Sequence, residues 1–366
     1  MELNNIGFIG LGLIGGSIAK AIRETYPNTK IFAHTSHIET IKSAYASGVI
    51  DNKDFLPLSD FGALDVIFLC SPVKVNLSYL EELKPFLRKT TILTDVGSVK
   101  GDIHKKIAFL GLSSQFIGGH PMTGSEKIGF EHSSSLLLEN AYYILTKEEA
   151  TNDAIYGEFF EYIKSLKAIP LSMTPEKHDF ATAAISHFPH VLSAALVNLV
   201  QGNETEDLTL KTIAAGGFKD ITRISSSSPE MWQNICLENK EEVLNLMELF
   251  QEELSDFKNA IATGDEEQLL KLFAGAKDYR DSLPIRKNGM LPVSYELFLD
   301  IKDETGMIAA VATLLAKEKI NIKNIGIINN REYISGALHI EVEDFDSLTQ
   351  AKDVLVKNEY HIFTTN

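Results

Sequence analysis

The sequence lacks the features that mark several classes of protein. It contains only two cysteines, Cys70 and Cys236, which lie far apart, so neither a disulfide framework nor a cysteine metal centre is expected. It has no run of lysine or arginine, and its net charge of −16 makes nucleic acid and anionic membrane poor partners. No window approaches the ~18 apolar residues of a membrane span, and the N-terminal residues do not resemble a signal peptide. We therefore expect a cytoplasmic protein.

A nucleotide-binding pattern opens the chain. The 366 residues are too many for one core, so two or three domains are expected. A short apolar strand, Asn5 to Ile9, runs into GLGLIGGS, and an apolar-periodic helix follows. In this strand–turn–helix context the first glycine makes the tight turn, the second lets the backbone approach a pyrophosphate, and the third lets helix and strand pack closely. The helix N-terminus would hold the phosphate charge. The cofactor contacts predicted here are Gly10, Gly12, Leu13, Ile14 and Gly15.

The end of the second strand leaves the choice of cofactor open. This strand covers Lys30 to Ala33 and ends at His34. An Asp or Glu is expected near this point to bind the ribose hydroxyls of NAD, and it is missing. No arginine replaces it to indicate NADP. Because His34, Thr35 and Ser36 could serve either cofactor, we expect NAD and keep NADP as an alternative.

Strand–helix alternation continues over residues 1–172 and predicts one doubly wound α/β domain of the Rossmann type. One buried strand ends at Ser71 and Pro72, and another ends at Asp95, so we expect all three residues to face the nucleotide. Ser98 and Lys100 follow the second of these strands and are candidate site residues. The alternative is that Ser98 only caps the next helix.

A later strand presents the most reactive candidate, His120. The apolar run before it stops at two glycines, Gly118 and Gly119, and hydroxyl and carboxylate residues follow it. A strand that ends in glycines and presents a histidine is typical of chemistry at the carboxyl edge of an α/β sheet. We predict that His120 performs the chemistry; the alternative is a hydrogen-bonded structural histidine.

From residue 173 to 284 the sequence shows no convincing strand, which predicts an all-α domain. Its first helix is long, and Pro189 should kink it because proline removes a backbone donor. Helical spacing places three polar residues on one stripe and a histidine beside it. These residues are Asp179, Ser186, His190 and, to the side, His187. They indicate either a site or a polar contact between domains.

The segment GGFKDITR then brings charged and hydroxyl side chains together after a glycine break. Its Arg223 is the natural clamp for a substrate carboxylate, because a guanidinium can bind both oxygens. A surface salt bridge is the alternative. The helices that follow are apolar on one face, so we expect them to pair with a second copy in a homodimer.

The C-terminal part has a different pattern. Residues 285–294 form a basic linker that contains proline and glycine. Residues 295–366 show the order β-α-β-β-α-β, which predicts a ferredoxin-like domain. We find no catalytic constellation there and expect no metal site in the chain.

The whole chain resembles the prephenate dehydrogenases of tyrosine biosynthesis that carry a C-terminal ACT domain. Five motifs in order support the resemblance: GLGLIGGS, DVGSVK, GGHPMTGSE, ISHFPH and GGFKDITR with its following tryptophan. The resemblance implies a helical dimerisation domain after the nucleotide-binding domain. It also implies oxidative decarboxylation of prephenate to 4-hydroxyphenylpyruvate, with hydride transfer to NAD(P).

The resemblance also implies roles for individual residues. His120 would act as the base toward the ring hydroxyl, with Ser98 orienting the hydroxyl or His120. Residues implied in substrate binding are Arg223, His190, Gly216, Trp232, Ser125 and Lys219. Residues implied in support are Asp179 and Asp220, which would steady Arg223, together with Glu126, Ser186 and His187. The main departure is His34, where NAD-using members usually carry an acid.

The ACT-like domain implies regulation by an amino acid, and we expect feedback inhibition by tyrosine. The implied effector contacts, at an interface between two copies, are Asp303, Gly306, Asn324 and Ile325. Three alternatives stay open at this point. Arogenate could replace prephenate as substrate, a β-hydroxyacid dehydrogenase would use a lysine instead, and a non-catalytic sensor would bind NAD and an amino acid.

Overall fold

The structure, a computed structural model, describes residues 3–125, 127–283, 295–301, 304–328, 337–342, 344–358 and 360–363. The chain forms two compact units, Met1–Pro284 and Ile285–Asn366. The predicted boundary at residue 172 falls inside the first unit and stays a prediction. The predicted linker lies outside the described residues.

A twisted sheet with helices on both faces organises the first part of the chain. Its strands, in sequence order, are β1 (Asn5–Ile9), β2 (Lys30–His34), β3 (Val66–Leu69), β4 (Ile92–Asp95), β5 (Phe116–Pro121), β6 (Tyr142–Lys147) and β7 (Ile169–Ser172). The helices between them are α1 (Leu13–Thr25), α2 (Ile38–Ala46), α3 (Val73–Leu83), α4 (Gly101–Leu110) and α5 (Asp153–Ser165). The strand order is β2-β1-β3-β4-β5-β6-β7. The strand order reverses between the parallel strands β1 and β3, and such sheets bind ligands at this point, beyond the carboxyl ends of the strands.

Apolar strands explain why this sheet forms a core on both faces. Strands β3 and β4 are fully buried, as is typical of parallel strands covered on both sides. Phe8 of β1 stacks on Phe68 of β3 with ring centroids 5.0 Å apart. One face is covered by α1 and α5, and the other by α3 and α4. The predicted Rossmann-type α/β domain is confirmed.

The last two strands of the sheet, β6 and β7, run in the opposite direction to β1–β5. Strands β5 and β6 pair antiparallel, whereas β6 and β7 pair parallel. The segment between β5 and β6 contains only short 3₁₀ turns in its described part. A parallel return requires a long crossover, usually a helix, so the chain turns back instead. The sequence pattern alone did not distinguish the two directions.

Helices alone follow β7 in the described residues of the first unit. They are α6 (Pro175–Gly202), α7 (Thr209–Ile213), α8 (Gly216–Thr222), α9 (Pro229–Glu238), α10 (Lys240–Thr263) and α11 (Glu266–Ser282). The Thr174 hydroxyl caps α6 by accepting from the Lys177 amide at 3.2 Å. The irregularity predicted at Pro189 is a π-helical turn over Ala183–His187, just before the proline.

Contrary to the prediction from the sequence, helix α6 is long and apolar enough to cross a bilayer, by length and composition alone. Of its most apolar 18-residue window, 22% is buried inside the chain. Its first turns nevertheless contain His178 and Asp179, both buried and hydrogen-bonded to the α/β sheet region. The helix is therefore packed against the nucleotide-binding region at its N-terminal end.

The second unit is an antiparallel sheet with two helices. Its strands are β8 (Tyr295–Asp300), β9 (Ile322–Ile328), β10 (Ala337–Val342) and β11 (Ile362–Phe363), and its helices are α12 (Met307–Lys317) and α13 (Phe345–Lys357). The sheet order is β11-β8-β10-β9. Leu297 and Leu299 of β8 pack with Leu315 and Leu355 of the two helices, which therefore cover one face. The ferredoxin-like prediction is confirmed.

Candidate active site

The glycine loop after β1 has the geometry that a dinucleotide requires. Gly10 has φ +88°, and a Cβ there would lie 2.6 Å from the Ser71 hydroxyl oxygen. A Cβ on Gly15 would lie 2.8 Å from the Gly10 carbonyl oxygen, so helix and loop pack as closely as predicted. A Cβ on Gly12 would meet nothing within 4 Å, which leaves room for a pyrophosphate to approach. Leu13 and Ile14 form the first turn of α1, where amide donors are unpaired within the helix. These residues fit the pyrophosphate of a dinucleotide.

The end of β2 forms the wall of a cavity beside this loop. The Gly10 amide donates to the His34 carbonyl at 2.8 Å, which ties the two strand ends together. His34 lines a cavity of about 690 Å³ and meets Tyr79 edge to face, with centroids 5.5 Å apart. Thr35 is half-buried and Ser36 is exposed next to it. Ser71 lies against Gly10, and the adjoining Pro72 directly precedes α3, so these residues lie together where β1, β2 and β3 end.

The prediction that Asp95 faces the nucleotide is wrong. Its carboxylate is fully buried, forms an ion pair with the fully buried Lys100 ammonium, and accepts from the Gly97 and Gly119 amides at 2.9 and 3.0 Å. The Lys100 ammonium also donates to the Gly119 carbonyl at 2.8 Å. Asp95 and Lys100 therefore join the ends of β4 and β5, and they fix the strand that carries His120.

His120 lies at the end of β5 in a chain of three hydrogen-bonded groups. Its Nδ1 is 2.8 Å from Nε2 of His178, and Nδ1 of His178 is 2.7 Å from a carboxylate oxygen of Asp179. A carboxylate can only accept, so His178 carries its proton on Nδ1 and accepts at Nε2. His120 must then donate from Nδ1, which leaves Nε2 with a lone pair. The arrangement fixes the tautomer that a general base needs.

The surroundings of these three hydrogen-bonded groups favour the neutral form of both histidines. Burial lowers the pKa of His120 well below its usual value, and the nearby His178, Lys100 and His187 lower it further. Burial also lowers the pKa of His178, although Asp179 opposes the shift. For Asp179 itself, burial raises the pKa, but hydrogen bonds from His178 and the Lys100 and Gly101 amides outweigh burial and lower it. The Asp179 carboxylate is thus ionised and His120 is an unprotonated base near neutral pH.

The predicted stripe on α6 is wrong because the π turn intervenes. Asp179 does not share a face with Ser186 and His190; it accepts from the Lys100 and Gly101 amides at 2.7 Å and so caps α4. A π turn contains more residues per turn than an α-helix, so positions after it are rotated. His187 is buried, and the Asn239 amide donates to its Nδ1 at 3.1 Å. Burial lowers the pKa of His187 to about 4.

A second group of aromatic and basic side chains lies beside His187. His190 stacks on Trp232 with centroids 3.5 Å apart, and its Nδ1 donates to the Ser186 carbonyl at 2.8 Å. The indole N–H of Trp232 is shielded from solvent and has no hydrogen-bond partner among the described residues. Burial lowers the pKa of His190, and the charge of Arg223 lowers it further. An orphaned donor beside a cation suits an anionic or carbonyl-bearing ligand.

Other predicted residues lie on exposed segments. Gly216, Lys219 and Asp220 are exposed on α8, and Arg223 follows that helix directly. Within the described residues Arg223 forms no ion pair with Asp179 or Asp220, so the predicted support for its guanidinium is wrong. The Ser125 hydroxyl accepts from the Lys127 amide at 3.1 Å in an exposed loop.

Ser98 is half-buried between β4 and α4 and makes no hydrogen bond to a described residue. It does not cap α4, because Asp179 caps that helix from α6. Its hydroxyl is therefore available to a ligand. Glu126 and Asp303 lie outside the described residues. In the second unit Gly306 precedes α12 with φ +96°, and Asn324 and Ile325 lie on β9, an edge strand.

The fold and the site together define a class of protein. A glycine-loop nucleotide site combined with a histidine base at a strand end is typical of NAD(P)-dependent oxidoreductases. Sequence models agree: those described as the nucleotide-binding domain and the dimerization domain of prephenate dehydrogenase match residues 18–169 and 174–275. An ACT domain model matches residues 292–359.

Similar proteins point to the same family. The chain is 38% identical to the prephenate dehydrogenase of Bacillus subtilis, over 97% of this chain and 96% of that protein. It is 36% identical to that of Lactococcus lactis, over 97% and 98%. The crystal structure of A. aeolicus prephenate dehydrogenase with hydroxyphenyl propionate and NAD+ superposes with a TM-score of 0.72 at 33% identity, covering 78% of this chain and 99% of that one. The chain belongs to the prephenate dehydrogenase family.

Sequence reasoning missed His178 entirely. The signal was present: a histidine and an aspartate adjacent to each other in the first turn of a helix that Thr174 and Pro175 start. Its partner, however, is His120 on β5, 58 residues away in the chain. Only the packing of α6 against the sheet brings the two rings together.

Proposed function

We propose that the chain oxidises prephenate to 4-hydroxyphenylpyruvate and CO2. The observation that carries the proposal is the His120–His178–Asp179 chain, which leaves a neutral base with its lone pair on Nε2. The bound nicotinamide would accept a hydride from the ring carbon that bears the hydroxyl. As this hydride leaves, the hydroxyl loses its proton to His120 Nε2 and becomes a carbonyl.

Loss of CO2 follows without a further catalyst. The bond between the ring and its carboxylate breaks, and its electron pair enters the ring, which becomes an aromatic phenolate. The imidazolium of His120 then returns its proton to the phenolate oxygen. The base is thereby regenerated, and the low pKa of His120 makes this return favourable.

The second histidine cluster suits the side chain of prephenate. We place the pyruvyl group beside His190 and Trp232, with Arg223 clamping a carboxylate and Lys219 and Gly216 adding contacts from α8. Ser98 would orient the ring hydroxyl, and Ser125 would contact substrate from its loop. Among the described residues, the groups that interact with His190 include the Trp232 indole, the Ser186 carbonyl, the Arg223 guanidinium and the His187 imidazole, and none of these is a carboxylate. An anionic keto acid suits them better than the ammonium group of arogenate, so we favour prephenate.

The experiment is a turnover assay by absorbance of the reduced nicotinamide, crossing prephenate and arogenate with both cofactors. We expect turnover of prephenate by the parent and loss of at least about 100-fold in kcat for His120→Asn. Calorimetry should show that this variant still binds nucleotide. His132→Asn, an exposed histidine, is the matched control and should be fully active. Near-parental turnover by His120→Asn would refute the assignment of the base.

We also propose a cytoplasmic homodimer that tyrosine inhibits. Support for the dimer comes from large apolar side chains left exposed on the helices, such as Ile185 at 71% and Leu199 at 62%. Support for the effector comes from the ACT-like unit, where Gly306, Asn324, Ile325 and, in the sequence, Asp303 are the proposed contacts. Tyrosine would have to bind two states with different affinity. Calorimetry with tyrosine and a light-scattering mass test both parts; no binding and a monomer would refute them.

A further inference from the structure

We propose that this chain selects NAD over NADP and that His34 and Glu82 make the selection. The inference rests on the proposed nucleotide-dependent function and names which nucleotide the site accepts. It starts from a substitution in the sequence: a histidine stands at the end of β2, where an acid usually binds the ribose.

The hydrogen bonding of His34 leaves its imidazole able to accept a hydrogen bond, which is what the missing acid would do. Its Nδ1 lies 3.2 Å from the Leu56 carbonyl, which can only accept, so the proton of the neutral ring is on Nδ1. The ring is held edge to face against both Phe61 and Tyr79. No described residue bonds Nε2, whose lone pair is therefore available as an acceptor. A ribose 2′-hydroxyl can donate to that lone pair, whereas a 2′-phosphate has no proton to offer it at neutral pH.

The charge of the cavity points in the same direction. The cavity that His34 lines also contains Ser59, Ser78 and Glu82, and none of its described lining residues is lysine or arginine. The serine hydroxyls can donate to a hydroxyl or a phosphate, but they supply no charge. A 2′-phosphate would enter this cavity without a cation and near the carboxylate of Glu82. Because Glu82 is exposed, water and salt screen part of its repulsion, and we expect the larger effect from His34.

Calorimetry of NAD+ and NADP+ with the unliganded full chain tests the proposal without an activity readout. We expect the parent to bind NAD+ at least about tenfold more tightly. His34→Arg should shift the ratio of the two dissociation constants toward NADP+, and His34→Asp should shift it toward NAD+. Glu82→Gln should move the ratio a few-fold toward NADP+. The matched control is Glu81→Gln, because Glu81 lies on the same helix, pairs with Lys106 and is not a lining residue.

The outcomes separate this inference from the proposed function. Equal or tighter binding of NADP+ by the parent would overturn the inference alone, and so would a ratio that neither His34→Asp nor Glu82→Gln changes. If His34→Arg fails to fold, as judged by its thermal melt, those two variants still carry the test with opposite expected shifts. Binding of neither nucleotide by folded parent protein would overturn the proposed function and the inference with it.

Discussion

The tautomer of His120 can be reversed through a residue that the substrate does not touch. In the parent, Asp179 accepts from Nδ1 of His178 at 2.7 Å, and His178 accepts from Nδ1 of His120 at 2.8 Å. The Asp179→Asn variant places an amide where the carboxylate was. If that amide donates to His178 Nδ1, the proton of His178 moves to Nε2. His120 must then accept at Nδ1 and carries its own proton on Nε2, where the substrate needs a lone pair.

The expected loss is large because the wrong tautomer cannot take the proton. A general base contributes about 100- to 10,000-fold, so we expect kcat to fall by a factor in that range. This corresponds to about 3–5 kcal/mol of transition-state stabilisation. Nucleotide binding, measured by calorimetry, should stay unchanged because the glycine loop is not involved. The ¹⁵N shifts of the His120 imidazole should show the proton on Nε2 instead of Nδ1.

Two controls separate this effect from a loss of structure. Asp179 also caps α4 through the Lys100 and Gly101 amides, and asparagine can accept from only one side, so we expect a stability loss of about 1–3 kcal/mol. Kinetics must therefore be measured well below the melting temperature of the variant. Glu176→Gln removes an exposed carboxylate from the same helix and should behave as the parent. A folded Asp179→Asn enzyme whose ¹⁵N shifts place the His120 proton on Nε2, but whose kcat stays within about threefold of the parent, would refute the tautomer argument.

Three further outcomes follow from buried or tightly packed groups. Lys100→Met should lower the free energy of unfolding in urea by about 3–5 kcal/mol, because the Asp95 carboxylate stays buried without its cation. Adding Asp95→Asn to this variant should recover part of the lost stability. If the two substitutions instead destabilise additively, the pairing of Lys100 with Asp95 is contradicted. Gly12→Ala should melt like the parent but bind nucleotide more weakly by calorimetry, whereas Gly10→Ala should lower the melting temperature. Since the pKa of His187 falls to about 4 on folding from an ordinary 6.5, the unfolded state protonates first. Urea midpoints should therefore fall as pH drops from about 6.5 to 4, and His187→Asn should reduce that slope.

Local patterns carried most of the fold. The glycine loop is a contiguous motif whose three glycines each have a steric reason that the structure bears out at Gly10, Gly12 and Gly15. The β-α-β-β-α-β order likewise depends only on which segments are strands and helices. The direction of β6 could not be predicted in this way. It depends on the path of the 20 residues that connect β5 to β6, and their sequence pattern shows no helix or turn that fixes this path.

The supporting structure of the site was less accessible to sequence reasoning than the base itself. His120 stands out because it ends a glycine-rich strand, but Asp179 reaches its partner, the Lys100 amide, across 79 residues of chain. The spacing argument assumed a regular α-helix from Thr174 onward, and one π turn invalidated it. Asp95 illustrates the same limit: its position at a strand end was right, and its buried pairing with Lys100 could not be read from neighbours in sequence.

The charges for binding and for chemistry lie on different elements. Around the base, the Lys100 ammonium is paired with Asp95, and the pKa values of His120, His178 and His187 are all lowered by burial. This region therefore offers a substrate little net positive charge, and the whole chain carries a net charge of −16. The proposed substrate is a dianion, so the positive charge that attracts it must lie elsewhere. Two exposed cations meet this need: Lys219 lies on α8, and Arg223 follows that helix directly. Keeping that charge at the substrate's far end preserves the basicity of His120. A cation adjacent to His120 would lower its basicity further and weaken the proton transfer on which the proposed reaction depends.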